Sequence, residues 1–255
     1  MPEPAVGIDR ATAMQPVRIQ LARAPVMVFE AAHERFGKLP FAALFGPAIY
    51  RWFTPTTEVS LCGHATLATA YVLFEEMNVS ENTLEFDTQS GVLTVWRDKH
   101  AYTMKFPARK IVPVDLMDQV EQCIGAEVLA THSAGPTVIA EVADESTVEN
   151  LEPDIDQIEK TLDYNGLIVT ATGERVDFVS RFFGLRVGMP EDPVTGSAHC
   201  GLAPYWAERL QIRESSARQL SKRGGELKLR LEEEDVYIGG RCVLYSRGDI
   251  MLLCD

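Results

Sequence analysis

The amino-acid sequence predicts a mixed α+β fold made of two similar halves. Three observations carry this expectation. Short runs of alternating apolar and polar residues are separated by turn residues, two amphipathic helical stretches each begin just after a glycine turn, and landmarks of the first half return in the second in the same order.

Residues 1–49 are rich in Ala and Pro and only weakly periodic; Val26-Met27-Val28-Phe29 fits a short strand, and 29–36 one or two helical turns. From Tyr50 the signals sharpen. A helix is predicted over 65–77, where Ala65, Leu67, Ala68, Tyr71, Val72 and Met77 form an apolar face, Glu75 and Glu76 lie outside it, and Asn78 supplies a stop. Residues 84–87, 92–96 and 101–106 alternate as strands, broken at Ser90-Gly91 and ended by Pro107. The second half is predicted to hold a helix over 115–125, strands over 136–142, 166–171 and 175–183, and an amphipathic helix over 198–210. Strands over 226–231, 236–238 and 241–245 finish the chain. Trp52, Trp96 and Trp206 are assigned to the core.

The echo is countable. Arg51-Trp52-Phe53 returns 130 residues later as Arg181-Phe182-Phe183, and Cys62-Gly63-His64-Ala65 returns 133 later as Thr195-Gly196-Ser197-Ala198. Ser90-Gly91-Val92-Leu93 returns 134 later as Gly224-Gly225-Glu226-Leu227. One order at nearly one offset indicates a duplicated unit of strand, loop, glycine turn, helix, loop and strand.

Composition narrows the function. Of 255 residues 46% are hydrophobic and 24% charged, which excludes disorder, collagen and coiled coil. A net charge of −13 disfavours nucleic acid and anionic membrane as partners. The imbalance lies in 51–255, with 19 basic and 33 acidic groups against 5 and 4 in 1–50. Five cysteines without a CxxC suggest free thiols in a reducing, cytoplasmic setting, and no zinc spacing is present. Apolar runs fall far short of a bilayer span, and Glu3 and Asp9 argue against a transit peptide.

Each glycine turn lies directly before a helix, where unpaired backbone N–H groups meet the positive end of the helix dipole and can bind an anion. Two such turns facing each other could hold one small carboxylate. His64 follows Gly63; the dipole disfavours its protonated form, so it could act as a neutral hydrogen-bond partner or base, or simply cap the helix. Asp192, held extended by Pro193, could anchor a substrate amine or hydroxyl, or bind the N–H groups of its own turn. Ser197 could cap its helix or touch the ligand, and His199 could face either way. Arg51 and Arg181 read as ion-paired structural groups, with Glu58 an acceptor for the turn amides. Ser221-Lys222-Arg223-Gly224-Gly225 lacks the GK[ST] of a P-loop, so no phosphate site is expected there.

The segments Arg51-Trp52-Phe53-Thr54-Pro55, Glu58-Val59-Ser60-Leu61-Cys62-Gly63-His64-Ala65-Thr66-Leu67-Ala68 and Glu191-Asp192-Pro193-Val194-Thr195-Gly196-Ser197-Ala198-His199 resemble the phenazine biosynthesis-like (PhzF) family. Residues 221–227 are similar to that family's S-x-R-G-G-E-L. The resemblance covers roughly 50–248. It implies a diaminopimelate-epimerase-like fold, in which each half is a β-barrel-like sheet around a central helix and the active site lies between the halves. On that basis 1–49 form a divergent segment, 50–107 the first half and 108–255 the second, with the final strands returning to the first. The implied chemistry is cofactor-free isomerisation of a small cyclic amino acid by proton transfer, in a homodimer. By the same resemblance His64, Asp192 and Ser197 match the family's catalytic positions, and Gly63, His64, Thr195, Gly196 and Ser197 its substrate-binding positions; no metal is implied.

Two departures bear on mechanism. Family members carry an N-P-A motif and then an N-L-S-E segment whose glutamate is the main proton shuttle. Residues 1–49 show neither, and Glu30 and Glu34 lack a Ser-Glu context. Related two-thiol racemases place Cys before each active-site Gly; here Cys62 fills the first position and Thr195 the second, so a symmetric two-base racemisation lacks one base. The alternatives are a small-acid binding protein without turnover and a Cys62-dependent racemase or dehydratase.

Overall fold

A computed structural model describes residues 17–18, 26–30, 41–45, 50–53, 58–59, 61–98, 101–184 and 190–244. From the N-terminal side, β1 (Val17–Arg18), β2 (Val26–Glu30), β3 (Phe41–Phe45), β4 (Arg51–Phe53) and β5 (Glu58–Val59) lead into α1 (Gly63–Tyr71). β6 (Thr83–Thr88), β7 (Gly91–Asp98) and β8 (Ala101–Pro107) follow. The second half comprises β9 (Ile111–Pro113), α2 (Met117–Ile124), β10 (Ala130–Ala134), β11 (Thr137–Glu141), α3 (Glu145–Glu149), α4 (Ile155–Thr161), β12 (Gly166–Thr172) and β13 (Phe178–Gly184). It ends with α5 (Gly196–Leu210), β14 (Glu214–Gln219), β15 (Gly225–Glu232) and β16 (Asp235–Gly240).

Strands β2 to β5 form a four-stranded antiparallel sheet in chain order. The other twelve form one sheet ordered β1-β6-β7-β8-β16-β15-β14-β13-β12-β11-β10-β9. Pairing makes the duplication visible. Tyr50 bridges Thr88 in parallel, and 130 residues later Ser180 of β13 lies opposite Gln219 of the parallel β14. The β6–β7 hairpin turns at Gly91 with φ 97°, a conformation open to glycine, and the β14–β15 connection turns at Gly224 with φ 70°. The halves join where β8 runs antiparallel to β16. There an offset of 134 carries the pair Thr103–Gly239 onto Tyr237–Lys105, so a local two-fold axis passes through the seam.

Alternation decides burial. Leu84 and Phe86 of β6, Val95 of β7, Met104 and Phe106 of β8, and Val236 and Ile238 of β16 turn inward. They share one core with Ala65, Leu73 and Phe74 of the first-half helical segment and Ala198, Leu202 and Trp206 of α5. Burying one such large side chain contributes about 1.5–3 kcal/mol. A second core lies on the other face of β11 to β13, where Val120, Ile124, Val148 and Ile158 of the three short helices cover Val138, Leu167 and Val169. β12 is therefore buried on both faces from Gly166 to Ala171, which is why it reads as a continuous apolar run.

Several elements differ from expectation. The first helix begins at Gly63 rather than 65. It ends as an α-helix at Tyr71 and continues as a π-turn over Val72–Glu76, where Met77 N–H reaches Val72 O at 3.0 Å. Asn78, at φ 53°, stops it. The strand expected over 241–245 does not form: β16 ends at Gly240, 241–244 carry no strand and Val243 is 85% exposed, while Tyr245 lies outside the described residues. Phe29 belongs to β2 rather than to a helical turn, and 31–36 lie outside the described residues. Among the described residues no helix is long and apolar enough to cross a membrane.

Candidate active site

In the first turn, Cys62 is the extended residue before α1 and gives that helix no side-chain cap. The Thr66 hydroxyl donates to Cys62 O at 2.8 Å and accepts from Trp52 Nε1 at 3.1 Å, which fixes the carbonyl's direction. His64 reaches out of its own half: Nδ1 lies 2.8 Å from Val194 O. A carbonyl only accepts, so Nδ1 carries a proton, and Nε2 is an acceptor when the ring is neutral. Cys62 Sγ stands 3.3 Å from that Nε2. Glu58 binds Arg51 through two hydrogen bonds of 2.8 and 2.7 Å.

In the second turn, Arg181 holds Glu191 at 2.7 and 3.1 Å and also donates to Leu151 O at 2.7 Å. Thr195 is extended before α5 and, like Cys62, gives no side-chain cap. Its hydroxyl donates to Asp192 Oδ2 at 2.5 Å, and both side chains are buried. His199 is fully buried beneath the turn, with Nδ1 2.8 Å from Thr195 O and its ring stacked on Phe178. Nε2 has no hydrogen-bond partner among the described residues, and burial pushes the imidazole pKa down to about 4. His199 thus supports the turn from behind.

The two helix starts meet. A Cβ placed on Gly63 would lie 3.5 Å from Gly196 Cα, and one on Gly196 would lie 3.6 Å from Gly63 Cα. The two shortest α-helices are capped by carboxylates, with Asp144 accepting from Thr147 N–H at 2.7 Å and Asp154 from Gln157 N–H at 2.9 Å, whereas α2 starts at Leu116 without a side-chain cap. α1 and α5 likewise start without side-chain caps, and these two uncapped starts are the ones that meet at their glycines. The structure therefore brings Gly63, His64, Thr195 and Gly196 together, joins Asp192 to them through Thr195, and sets Ser197 partly exposed in the first turn of α5.

Sequence reasoning missed Gln219. It ends β14 and is buried; Oε1 accepts from Thr195 N–H at 2.7 Å, and Nε2 donates to Asp192 O at 2.6 Å and Thr195 Oγ1 at 3.1 Å. The glycine-rich 221–225 segment clamps the same turn. Ser221 Oγ donates to Pro193 O at 2.8 Å, and a Cβ at Gly225 would collide with Val194. Among the described residues no cluster of three or more His, Cys, Asp or Glu side chains is disposed to hold a metal ion.

Comparison with known proteins decides the family. The sequence profile of the phenazine biosynthesis-like proteins (PhzC-PhzF) matches residues 47–248. An uncharacterized isomerase of Pseudomonas aeruginosa is 45% identical over 202 residues, 79% of this chain and 77% of its own. The human phenazine biosynthesis-like domain-containing protein is 38% identical over 215 residues, 76% of this chain and 75% of its own. The crystal structure of a PhzF-family protein from Enterococcus faecalis superposes with a TM-score of 0.79 at 40% identity over 84% of each chain.

This chain belongs to the phenazine biosynthesis-like family. Its fold is shared more widely: a probable proline racemase from Agrobacterium radiobacter aligns with a TM-score of 0.53 at 11% identity, a likeness of architecture alone. The expected epimerase-like α+β fold with paired halves is the fold observed. In this PhzF-like chain the family profile begins at residue 47, after both N-terminal carboxylates considered above. Glu30 ends β2, opposite Phe41, and Glu34 lies outside the described residues.

Proposed function

We propose that the chain is a cofactor-independent isomerase that transfers a proton on a small, carboxylate-bearing substrate resembling a cyclic amino acid. The observation that carries this reading is the close approach of Gly63 and Gly196, where a Cβ added to Gly63 would lie 3.5 Å from Gly196 Cα, between two helix starts without side-chain caps. In it, the amides of Gly63, His64, Gly196 and Ser197 hold the carboxylate beside Thr195, and the Ser197 hydroxyl completes the contact. Asp192 and His64 move the proton. Positioned acid–base groups supply roughly 10²–10⁴-fold, and preorganised amides stabilise the enolate-like charge that develops as the proton leaves. The halves 50–107 and 108–255 each contribute one turn, and the working unit is a homodimer.

The experiment is deuterium uptake. The full chain is incubated with candidate small amino acids in D₂O, and mass spectrometry reads label at Cα or on the ring. Uptake with the natural chain, lost in Asp192→Asn, is the expected result. Binding of small acids with no uptake would instead make the chain a binding protein without turnover.

A second reading rests on Cys62 Sγ lying 3.3 Å from His64 Nε2, a thiol beside an imidazole acceptor. It makes Cys62 the reacting group of a racemase or dehydratase. It requires inactivation by iodoacetamide, with Cys62→Ala abolishing exchange while Asp192→Ala spares it.

A further inference from the structure

The buried amide of Gln219 is polarised by its surroundings. Thr195 N–H can only donate, so it must meet Oε1, and Asp192 C=O can only accept, so it must meet Nε2; the amide has one orientation. Nε2 therefore presents a hydrogen to Thr195 Oγ1 at 3.1 Å. That hydroxyl has one proton and, among the described residues, two side-chain neighbours within hydrogen-bond reach. One is Nε2, which cannot accept; the other is Asp192 Oδ2 at 2.5 Å, which can.

We propose that Gln219 is a positioning residue that directs the Thr195 proton onto Oδ2 of Asp192 and so holds that carboxylate in its charged form beside the second glycine turn. Gln219 touches no substrate in this arrangement; it acts through Thr195. The proposal rests on the proton-transfer reading for its purpose, and on geometry alone for its existence. It explains why a strand otherwise polar in composition ends in a fully buried glutamine, and why the Thr195 hydroxyl is withheld from capping α5. Among the described residues, ionisable groups around the turn include Cys62 and His64 from α1's start, Arg181 of β13 with its partner Glu191, His199 of α5, and Lys222 and Arg223 in the segment that clamps the turn.

The test needs no substrate. Full-length chain is labelled with ¹³C at aspartate carboxyls, the Asp192 resonance is assigned by its loss in Asp192→Asn, and its titration midpoint is followed in a double-mutant cycle of Gln219→Glu and Thr195→Val. Gln219→Glu keeps the acceptor for Thr195 N–H but turns the hydroxyl's neighbour into a competing acceptor. Thr195→Val removes the hydroxyl while keeping its branched shape. Each change alone raises the midpoint, Thr195→Val by roughly one pH unit, because the charged carboxylate loses a donor. The direct effect of the new charge is present in both backgrounds and cancels in the cycle. The expected result is that Gln219→Glu raises the midpoint by roughly one pH unit less in the Thr195→Val background than in the natural one. Equal rises in both backgrounds overturn the proposal, because Gln219 would then not act through the hydroxyl. If Gln219→Glu does not fold, Gln219→Met takes its place: loss of Nε2 frees the hydroxyl to turn, so a rise smaller than that for Glu is expected in the natural background and none with Thr195→Val, and equal shifts in both backgrounds overturn the proposal. A natural chain that takes up no deuterium defeats the proton-transfer reading separately, leaving the cycle to decide Gln219.

Discussion

At the first glycine turn a carbonyl is held by a hydroxyl, and at the second by an imidazole. Thr66 Oγ1 donates to Cys62 O and His199 Nδ1 to Thr195 O, each at 2.8 Å, and each donor stands three residues after its glycine. Glu58 and Glu191 each precede their glycine by five residues, and each is gripped through two hydrogen bonds by an arginine of the preceding strand. Backbone plan and flanking ion pair are thus common to both halves. The chemistry-bearing side chains are not. The first half sends His64 across to Val194, whereas the second gathers Asp192, Thr195 and Gln219 into a buried network of its own. Duplication accounts for two matched glycine turns, and divergence at single positions has made the side chains around them unequal.

That asymmetry has a large expected consequence. Asp192 occupies the position that Val59 fills in the first half, so its carboxyl has no counterpart to replace it. Asp192→Asn is expected to slow deuterium exchange by roughly 10²–10⁴-fold, with the fold unchanged by circular dichroism. Retention of the natural rate would show that the halves do not differ as argued, and would move the chemistry to Cys62 and His64.

The imidazole-for-hydroxyl exchange makes a second difference, this time in stability. His199 is held neutral by burial, its pKa falling from the ordinary 6.5 to about 4. Above pH 6.5 the ring is neutral in both folded and unfolded chains and costs nothing. Between pH 6.5 and 4 the unfolded chain binds a proton that the folded chain refuses, so stability falls as pH falls, by about 3 kcal/mol in total for this group. Thr66 contributes no such slope. Urea unfolding at pH 7 and pH 4.5 should show the loss in the natural chain and a smaller one in His199→Gln; equal losses would place the sensitivity elsewhere.

What was legible in the sequence follows the same division. The helices from Gly63 and Gly196 and the strands β6 to β8 show themselves because apolar side chains recur at the period of the element. β14 reads Glu-Ser-Ser-Ala-Arg-Gln and hides, because its inward positions are Ala217 and Gln219 and no apolar alternation marks them. β10, with Ala-Thr-His-Ser-Ala, hides for the same reason. Gln219 escaped notice with its strand: an amide becomes a buried partner only through the backbone of Asp192 and Thr195, more than twenty residues away. The converse error is at 241–245, where Cys-Val-Leu-Tyr looks like a strand but β16 has already ended at Gly240. His199 was readable as a first-turn residue, yet its inward direction depends on Phe178 of another strand.

The flanking ion pairs give the smallest contrast and the most direct check of how far the two halves have separated. In sequence they are equivalent; in surroundings they are not. Arg181 is 12% exposed and ties Glu191 to the carbonyl of Leu151, so it bridges the second turn to the end of α3. Arg51 is 47% exposed and faces Glu58 in solvent. Arg181→Met should lower stability by about 2 kcal/mol, since it strands a partly buried carboxylate and a buried carbonyl together. Arg51→Met should leave the thermal midpoint where it was, because an exposed pair in high dielectric gains little over its hydrated parts. Raising salt should further separate the cases, screening the Arg51 pair while sparing the Arg181 pair. Equal midpoints for the two variants would mean that burial, and not ancestry, has been misjudged as the source of the difference.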